Sequence, residues 1–403
     1  MALAIAPAQI TPALRRTTLI LLTVAVGTVV ANLYYAVPLE HALAEAFHVS
    51  DRAIGLAVSL IQIGYAIGLA TLVPLGDLLE RRGLLMPMLI CNVAGMVTMA
   101  VASGYAVFVV AAAIVGVTSV AVQVLVPFAA ELAPPDQRGR VVSTVMSGLL
   151  VGVLISRTVS GLIADAADWR AVFAFGALIT AVVALLLHRR LPVLAPRATM
   201  RYRELLGSVV TIVREEPQLR LRMLYGGLCF AAFNAFWTGS TFLLGGPDYG
   251  WSTSAIGLFA LVGVVGALSA RFAGRLADKR KVHRGTGIFL IATALSFGLI
   301  ALGEYSLAAL VVGVAVMDMG CQGVHISNQS VIYALRPEAR SRINTAYMTF
   351  YFVAGALGSG LSSLIYPEFG WVGVSVFAFA VPAAGVIVWG ARAISARRGA
   401  SPV

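Results

Sequence analysis

The sequence predicts an all-α polytopic membrane protein: twelve transmembrane helices in two pseudo-symmetric six-helix bundles. Three observations predict it. Of 403 residues, 59% are hydrophobic and only 12% are charged, with a mean hydropathy of +0.90; a soluble domain carries about 25% charged residues. Apolar stretches near the roughly 20 residues that a helix needs to cross a bilayer recur along the chain. The second half then repeats the first at a nearly fixed offset.

In order, the spans are expected near 17–39, 52–75, 84–103, 106–131, 140–164, 170–188, 219–244, 253–274, 285–303, 306–334, 343–366 and 371–392. The first apolar run is long enough to span, so no cleavable signal peptide is expected. If the N-terminus is cytoplasmic, the linkers and tails on that side hold 26 of the 29 Lys and Arg, including the run from Arg189 to Arg222. Only Arg52 and Arg170 fall on the other side, and Arg157 lies within a span. This bias sets the orientation, with both termini cytoplasmic. It also accounts for the net charge of +11, so no nucleic-acid partner is expected. Cys91, Cys229 and Cys321 all fall within spans, which argues against a disulfide framework, and no metal-ligand spacing is present.

The longest polar linker, 189–218, separates an N-terminal bundle, 1–188, from a C-terminal bundle, 219–403. The repeat supports this division. Asn32-Leu-Tyr-Tyr recurs 202 residues later as Asn234-Ala-Phe-Trp. Ser50, Ala53, Ile54, Gly55 and Leu56 recur at the same offset as Ser252, Ala255, Ile256, Gly257 and Leu258. Pro135 to Arg140 matches Pro337 to Arg342, and Trp169 matches Trp371. Gly76 matches Gly274 at 198, so a four-residue difference falls within spans 2 and 8.

Within span 10, Asp318, Gln322, His325 and Gln329 are spaced by 4, 3 and 4 residues. That spacing puts them on one helical face. An aspartate at the bilayer centre costs roughly 3 kcal/mol or more, so the face must turn inward, toward partners or water. Asp318 and His325 can both change protonation, which makes them candidates for proton coupling. Arg157, the other intramembrane charge, is expected to face the cavity and to approach Asp318 or bind an anionic substrate group. By the repeat, His325 corresponds to Gln123 and Asp318 to Gly116. Polar and aromatic stripes elsewhere nominate a substrate pocket: Asn32 and Tyr35 in span 1, Gln62 and Tyr65 in span 2, Gln123 in span 4, Asn234 and Trp237 in span 7, Gln322 in span 10, Tyr347 and Tyr351 in span 11. Apolar walls with a few polar anchors suit a small organic molecule. No phosphate-binding loop, nucleophile–base pair or soluble domain is evident, so neither an enzyme nor a cofactor is expected.

The loop after span 2 resembles the signature of the major facilitator superfamily, Gly-x-Leu-Ala-Asp-Arg-x-Gly-Arg-Arg. Gly76, Leu78, Arg81 and Gly83 match it, with Glu80 where Asp is usual. The second copy has Gly274, Leu276, Ala277 and Asp278. Asn32–Tyr35, Pro38 and Leu39 resemble prokaryotic drug–proton and arabinose-efflux-type antiporters. The resemblance covers essentially the whole chain. It implies a monomeric secondary transporter of the bacterial inner membrane, exporting drug-like, sugar or organic-anion substrates in exchange for protons. It also implies a conformational latch of Gly76, Glu80, Arg81, Gly83, Glu131, Gly274 and Asp278 between the halves.

Two departures stand against the antiporters. Aligned on Gly116, span 4 has Ala112 where they carry Arg and Val115 where they carry Gln. Span 5 reads Gly152, Ser156, Arg157, Ser160 and Gly161, with Arg157 in place of their Pro. Uptake or facilitated diffusion is therefore the alternative within the class. A non-transporting membrane receptor or assembly protein is the alternative outside it.

Overall fold

The computed structural model describes residues 16–134, 137–193, 201–263, 282–336 and 339–399. Among these, nine helices are long and apolar enough to cross a membrane, and two shorter apolar helices, Arg16–Ala31 and Thr253–Gly263, accompany them. In chain order the first half comprises α1 (Arg16–Ala31), α2 (Glu40–Phe47), α3 (Asp51–Leu78), α4 (Arg81–Ala100), α5 (Tyr105–Thr118), α6 (Ala121–Leu132), α7 (Arg138–Ala166) and α8 (Trp169–Arg190). The linker forms α9 (Tyr202–Glu215). The second half comprises α10 (Pro217–Gly245), α11 (Thr253–Phe259), α12 (Val282–Ala301), α13 (Leu307–Leu335) and α14 (Arg340–Gly399). The last is two spans joined at Gly370, whose φ of 60° interrupts the helix; only glycine takes that conformation without steric cost. The architecture is consistent with twelve spans.

The repeated residues do the same physical work in both halves. Ser50 starts α3 by accepting a hydrogen bond from Ala53 N at 3.3 Å, and Ser252 starts α11 by accepting one from Ala255 N at 3.3 Å. Each satisfies a backbone donor that a helix start leaves open. Trp169 and Trp371 are both buried. Polar interiors are present in both halves too. Asn32 donates to Asn92 Oδ1 at 2.7 Å and to Thr180 Oγ1 at 3.0 Å, tying α1 to α4 and α8.

Among the described residues, two spans of the first half depart from continuous helix. The first was expected to run to residue 39, but α1 ends at Ala31 and the chain turns through 32–36 into a short 3₁₀ segment, Val37–Leu39. Pro38 lies within that segment and has no N–H to continue an α-helical ladder. The fourth span is interrupted at Ser119 and Val120, between α5 and α6.

The halves meet along two seams. One pairs α3 with α14, and the other pairs α7 with α11. The second is largely backbone packing. A Cβ on Gly257 would lie 2.5 Å from the Arg157 carbonyl oxygen, and Thr158 Oγ1 donates to Gly257 O at 2.9 Å. Ser254 Oγ donates to Gly161 O at 3.2 Å. The linker helix α9 buries Leu205 and Ile212 and belongs to an apolar cluster with Leu219, Ile332 and Ile343. Arg336 holds it with Glu216 at 2.6 Å and Glu215 at 3.1 Å, while Tyr202 Oη reaches α3 by donating to Thr71 O at 2.8 Å.

Candidate functional site

Arg157 projects from α7 to the centre of the molecule and is only 5% exposed. Its guanidinium lies 4.1 Å from the ring centre of Trp237, 5.2 Å from Tyr34 and 5.9 Å from Phe233. A cation over aromatic faces gains attraction from the ring quadrupoles. Its Nε is enclosed without a hydrogen-bond partner. Asp318 on α13 is 4% exposed and packs against Gly263: a Cβ there would lie 2.5 Å from Asp318 Oδ2. Leu154, one turn from Arg157 on α7, borders the same spot. The two charges feel each other electrostatically but form no ion pair within 4.0 Å. Asp318 Oδ1 is enclosed without a partner.

Below this lies an aromatic wall. Phe230 stacks on Tyr351 at 3.9 Å and on Phe233 at 5.7 Å, and His325 approaches Tyr351 at 4.9 Å. Across the halves, Gln62 donates to Asn234 Oδ1 at 2.7 Å and Tyr65 packs on Phe352 at 4.3 Å. Gln123 donates to Tyr65 Oη at 3.1 Å. His325 Nδ1 is 3.2 Å from Tyr347 Oη, which accepts from Asn328 Nδ2 at 3.3 Å. The tyrosine's own hydrogen can then point at His325 Nδ1, an assignment that follows from the network. Gln322 and Gln329 are half-buried on the same helix face.

Asn32 and Tyr35 are not brought to this centre. Asn32 is spent on Asn92 and Thr180, and Tyr35 lines a groove on the bundle's flank with Gly27 and Gly152. The helical period that joined them to Thr28 fails because α1 ends at Ala31. Tyr34, one residue away, faces Arg157 instead. Sequence periodicity also missed Phe230 and Phe233. Arg222, counted among the cytoplasmic charges, is buried in α10, where it donates to Thr286 Oγ1 at 2.8 Å and Asn328 Oδ1 at 3.4 Å.

The loop signature is resolved in its first copy. Glu80 caps α4, accepting from Arg82 N at 2.9 Å and Gly83 N at 2.6 Å. Arg81 pairs with Glu131 at 2.6 Å and donates to Gly76 O at 3.3 Å. These bonds join elements of the first half. Gly274 and Asp278, their expected partners in the second copy, lie outside the described residues.

The comparisons with known proteins agree with this architecture. The Major Facilitator Superfamily profile matches residues 19–359. This chain belongs to that superfamily. It is 43% identical over 381 residues to the putative uncharacterized transporter YgaY of Escherichia coli K12, covering 94% of this chain and 96% of that one. It is 33% identical to the probable transporter SCO4007 of Streptomyces coelicolor, over 94% of this chain and 87% of that one. Among solved structures it superposes on the nucleoside transporter NupG with a TM-score of 0.76 at 14% identity, covering 93% and 99% of the two chains. The human organic anion transporter MFSD10 superposes with a TM-score of 0.70 at 16% identity, covering 93% and 100%. The superfamily member described here is a multi-pass membrane transporter for a small molecule, not an enzyme.

Proposed function

We propose that this transporter exports a small organic molecule across the bacterial inner membrane in exchange for protons, as a monomer with both termini in the cytoplasm and rigid bundles 1–188 and 219–403 joined by the 189–218 linker. The observation that carries the reading is Asp318: an enclosed carboxyl at the α7–α11 seam, within electrostatic reach of the caged Arg157. Protonating Asp318 removes its attraction for Arg157 and biases the packing of the halves, which gives coupling a physical route. His325 is a second titratable group on the same face.

Gln62, Tyr65, Gln123, Asn234, Trp237, Gln322, Tyr347 and Tyr351, with Tyr34, Phe230 and Phe233, supply flat apolar walls and amide anchors. Among drug-like, sugar and organic-anion substrates, the open Nε of Arg157 favours an aromatic or amphipathic anion. The first copy of the loop signature, with Glu131, steadies the cytoplasmic ends during rocking of the bundles. Proteoliposomes with an imposed pH gradient test the coupling. Substrate flux should follow the gradient and collapse with an uncoupler; flux indifferent to both means facilitated diffusion, the alternative that Ala112 and Val115 favour.

A further inference from the structure

Glu40 lies outside the site just described and is unused by it. It follows the 3₁₀ segment Val37–Leu39, which touches α7, α10 and α11, and it opens α2, which touches α3 and α10. Thr241 Oγ1 of α10 donates to Val37 O at 3.4 Å. This stretch of the first half is therefore wedged against the second, at the end where Gly161 and Gly257 also meet their partners. The Glu40 side chain is completely buried, 0% exposed, and neither carboxyl oxygen has a hydrogen-bond partner. No cation lies within ion-pair distance of it among the described residues.

A dry, unpaired carboxylate is among the least tolerable groups in a protein interior, and a neutral acid is far less costly. The neighbouring elements offer it no compensation. On α3, Asp51 is the charge that acts on it, and the effect is repulsive. On its own helix, His41 is engaged with Asp51 and Glu45, each at 3.6 Å. The α10 face contributes Thr241 and, beyond its end, Asp248; α11 has no ionisable residue; α7 brings Arg157, caged by aromatics, and Asp165, bonded to Ser254 N. On α14, Tyr366 and Glu368 add no cation. Burial accordingly pushes the Glu40 carboxyl well above the usual carboxylate range, and Asp51 pushes it further. Counting by the repeat, the second half has Phe242 at this position, packed 5.4 Å from Tyr366. One half thus plugs this end with a ring and the other with a carboxyl group.

We propose that Glu40 is a proton-binding site that holds this end of the transporter shut: the protonated acid packs dry between the halves, and opening this end hydrates it and releases the proton. By the positive-inside orientation this is the outer end, so the ligand is a proton from the external side. The inference does not rest on Asp318 or on antiport. The sign follows from proton counting. The closed arrangement holds one proton more than the open one, so acid favours closure. Closure is lost as pH rises through the raised value of the closed state, and each pH unit in that window changes the open-to-closed ratio up to about tenfold.

Hydrogen exchange of the purified full-length transporter tests this with no substrate, read on peptides covering 37–58 and 237–258 and corrected for intrinsic exchange. Between about pH 5.5 and about pH 8, wild-type protection should fall, by up to about tenfold per pH unit over the titration window. Glu40→Gln should stay protected across the range, and Glu40→Leu repeats the test without a buried amide. Asp51→Asn should move the wild-type transition to lower pH. Wild-type pH dependence persisting in both Glu40 variants overturns the proposal. So does loss of protection in both at every pH, which would mean that ionised Glu40 holds the end closed. An unchanged result for Asp318→Asn separates this site from the central one.

Discussion

The two halves share a scaffold and differ where it matters most. In the first, Gly116 of α5 packs so closely on α3 that a Cβ would strike the Ile61 carbonyl oxygen. In the second, the repeat puts Asp318 at that place. Counting on from the matched Gly55 and Gly257, Ile61 corresponds to Gly263, the residue against which Asp318 packs. The small residue has changed sides, and the space it leaves holds a carboxyl group. Within its own bundle the first half has a neutral polar network: Asn92 donates to Thr118 and Ser119, each at 3.0 Å, besides accepting from Asn32. Inside it, Arg81 and Glu131 are paired; Arg157 and Glu40, which are not, sit where it meets the second half. The second half keeps charges without ion-pair partners at 4.0 Å, Asp318 and Arg222, where the first has Gly116 and Ile20. A duplicated fold can thus preserve its packing while each copy acquires titratable groups at places of its own.

This contrast can be broken by exchanging phenotypes between the halves. Asp318→Asn should reduce proton-driven transport by more than about tenfold, equivalent to at least about 1.4 kcal/mol of coupling, while thermal unfolding and downhill exchange stay near wild type. Unaltered proton-driven flux would shift the role to His325. Glu131→Ala should do the reverse. It removes the ion-pair partner of buried Arg81, which costs up to about 3–5 kcal/mol and lowers the unfolding temperature; an unfolding temperature near wild type would show the pair to be dispensable.

Smaller effects sharpen the comparison. Gly116→Ala should cost about 1–3 kcal/mol by overpacking α5 against α3. Gly263→Ala meets a side chain rather than backbone, so it should cost less and instead move the pH profile of transport. Equal destabilisation by the two would refute the inverted packing. Arg157→Lys should be the mildest, losing about 1 kcal/mol of planar contact with Trp237, with a shifted pH profile. A profile that does not move would uncouple Arg157 from Asp318.

Hydropathy and the repeat made the spans and the twofold plan legible, because membrane thickness and capping chemistry act on local sequence. The α13 face was legible for the same reason: Asp318, Gln322 and His325 lie within one unbroken helix. Asn32 and Tyr35 lie away from the central cluster because no helical period carries past Ala31, where the helix stops. Arg222 read as a surface charge, since its depth depends on Thr286 and Asn328 from other helices. Glu40 gave no signal at all. Its burial is produced by the second half closing over a loop end, which no local pattern encodes.

The α7–α11 seam between the halves brings carbonyl and Cα atoms together across Gly161 and Gly257. Surfaces of this kind have no rotamers to reset, so they can part and rejoin without searching side-chain conformations. They also leave little room for mutation, because any added atom meets main chain. The aromatic lining is free of that constraint. A lineage of such proteins can therefore change what it carries by repainting the chamber while the bearing on which it turns stays the same.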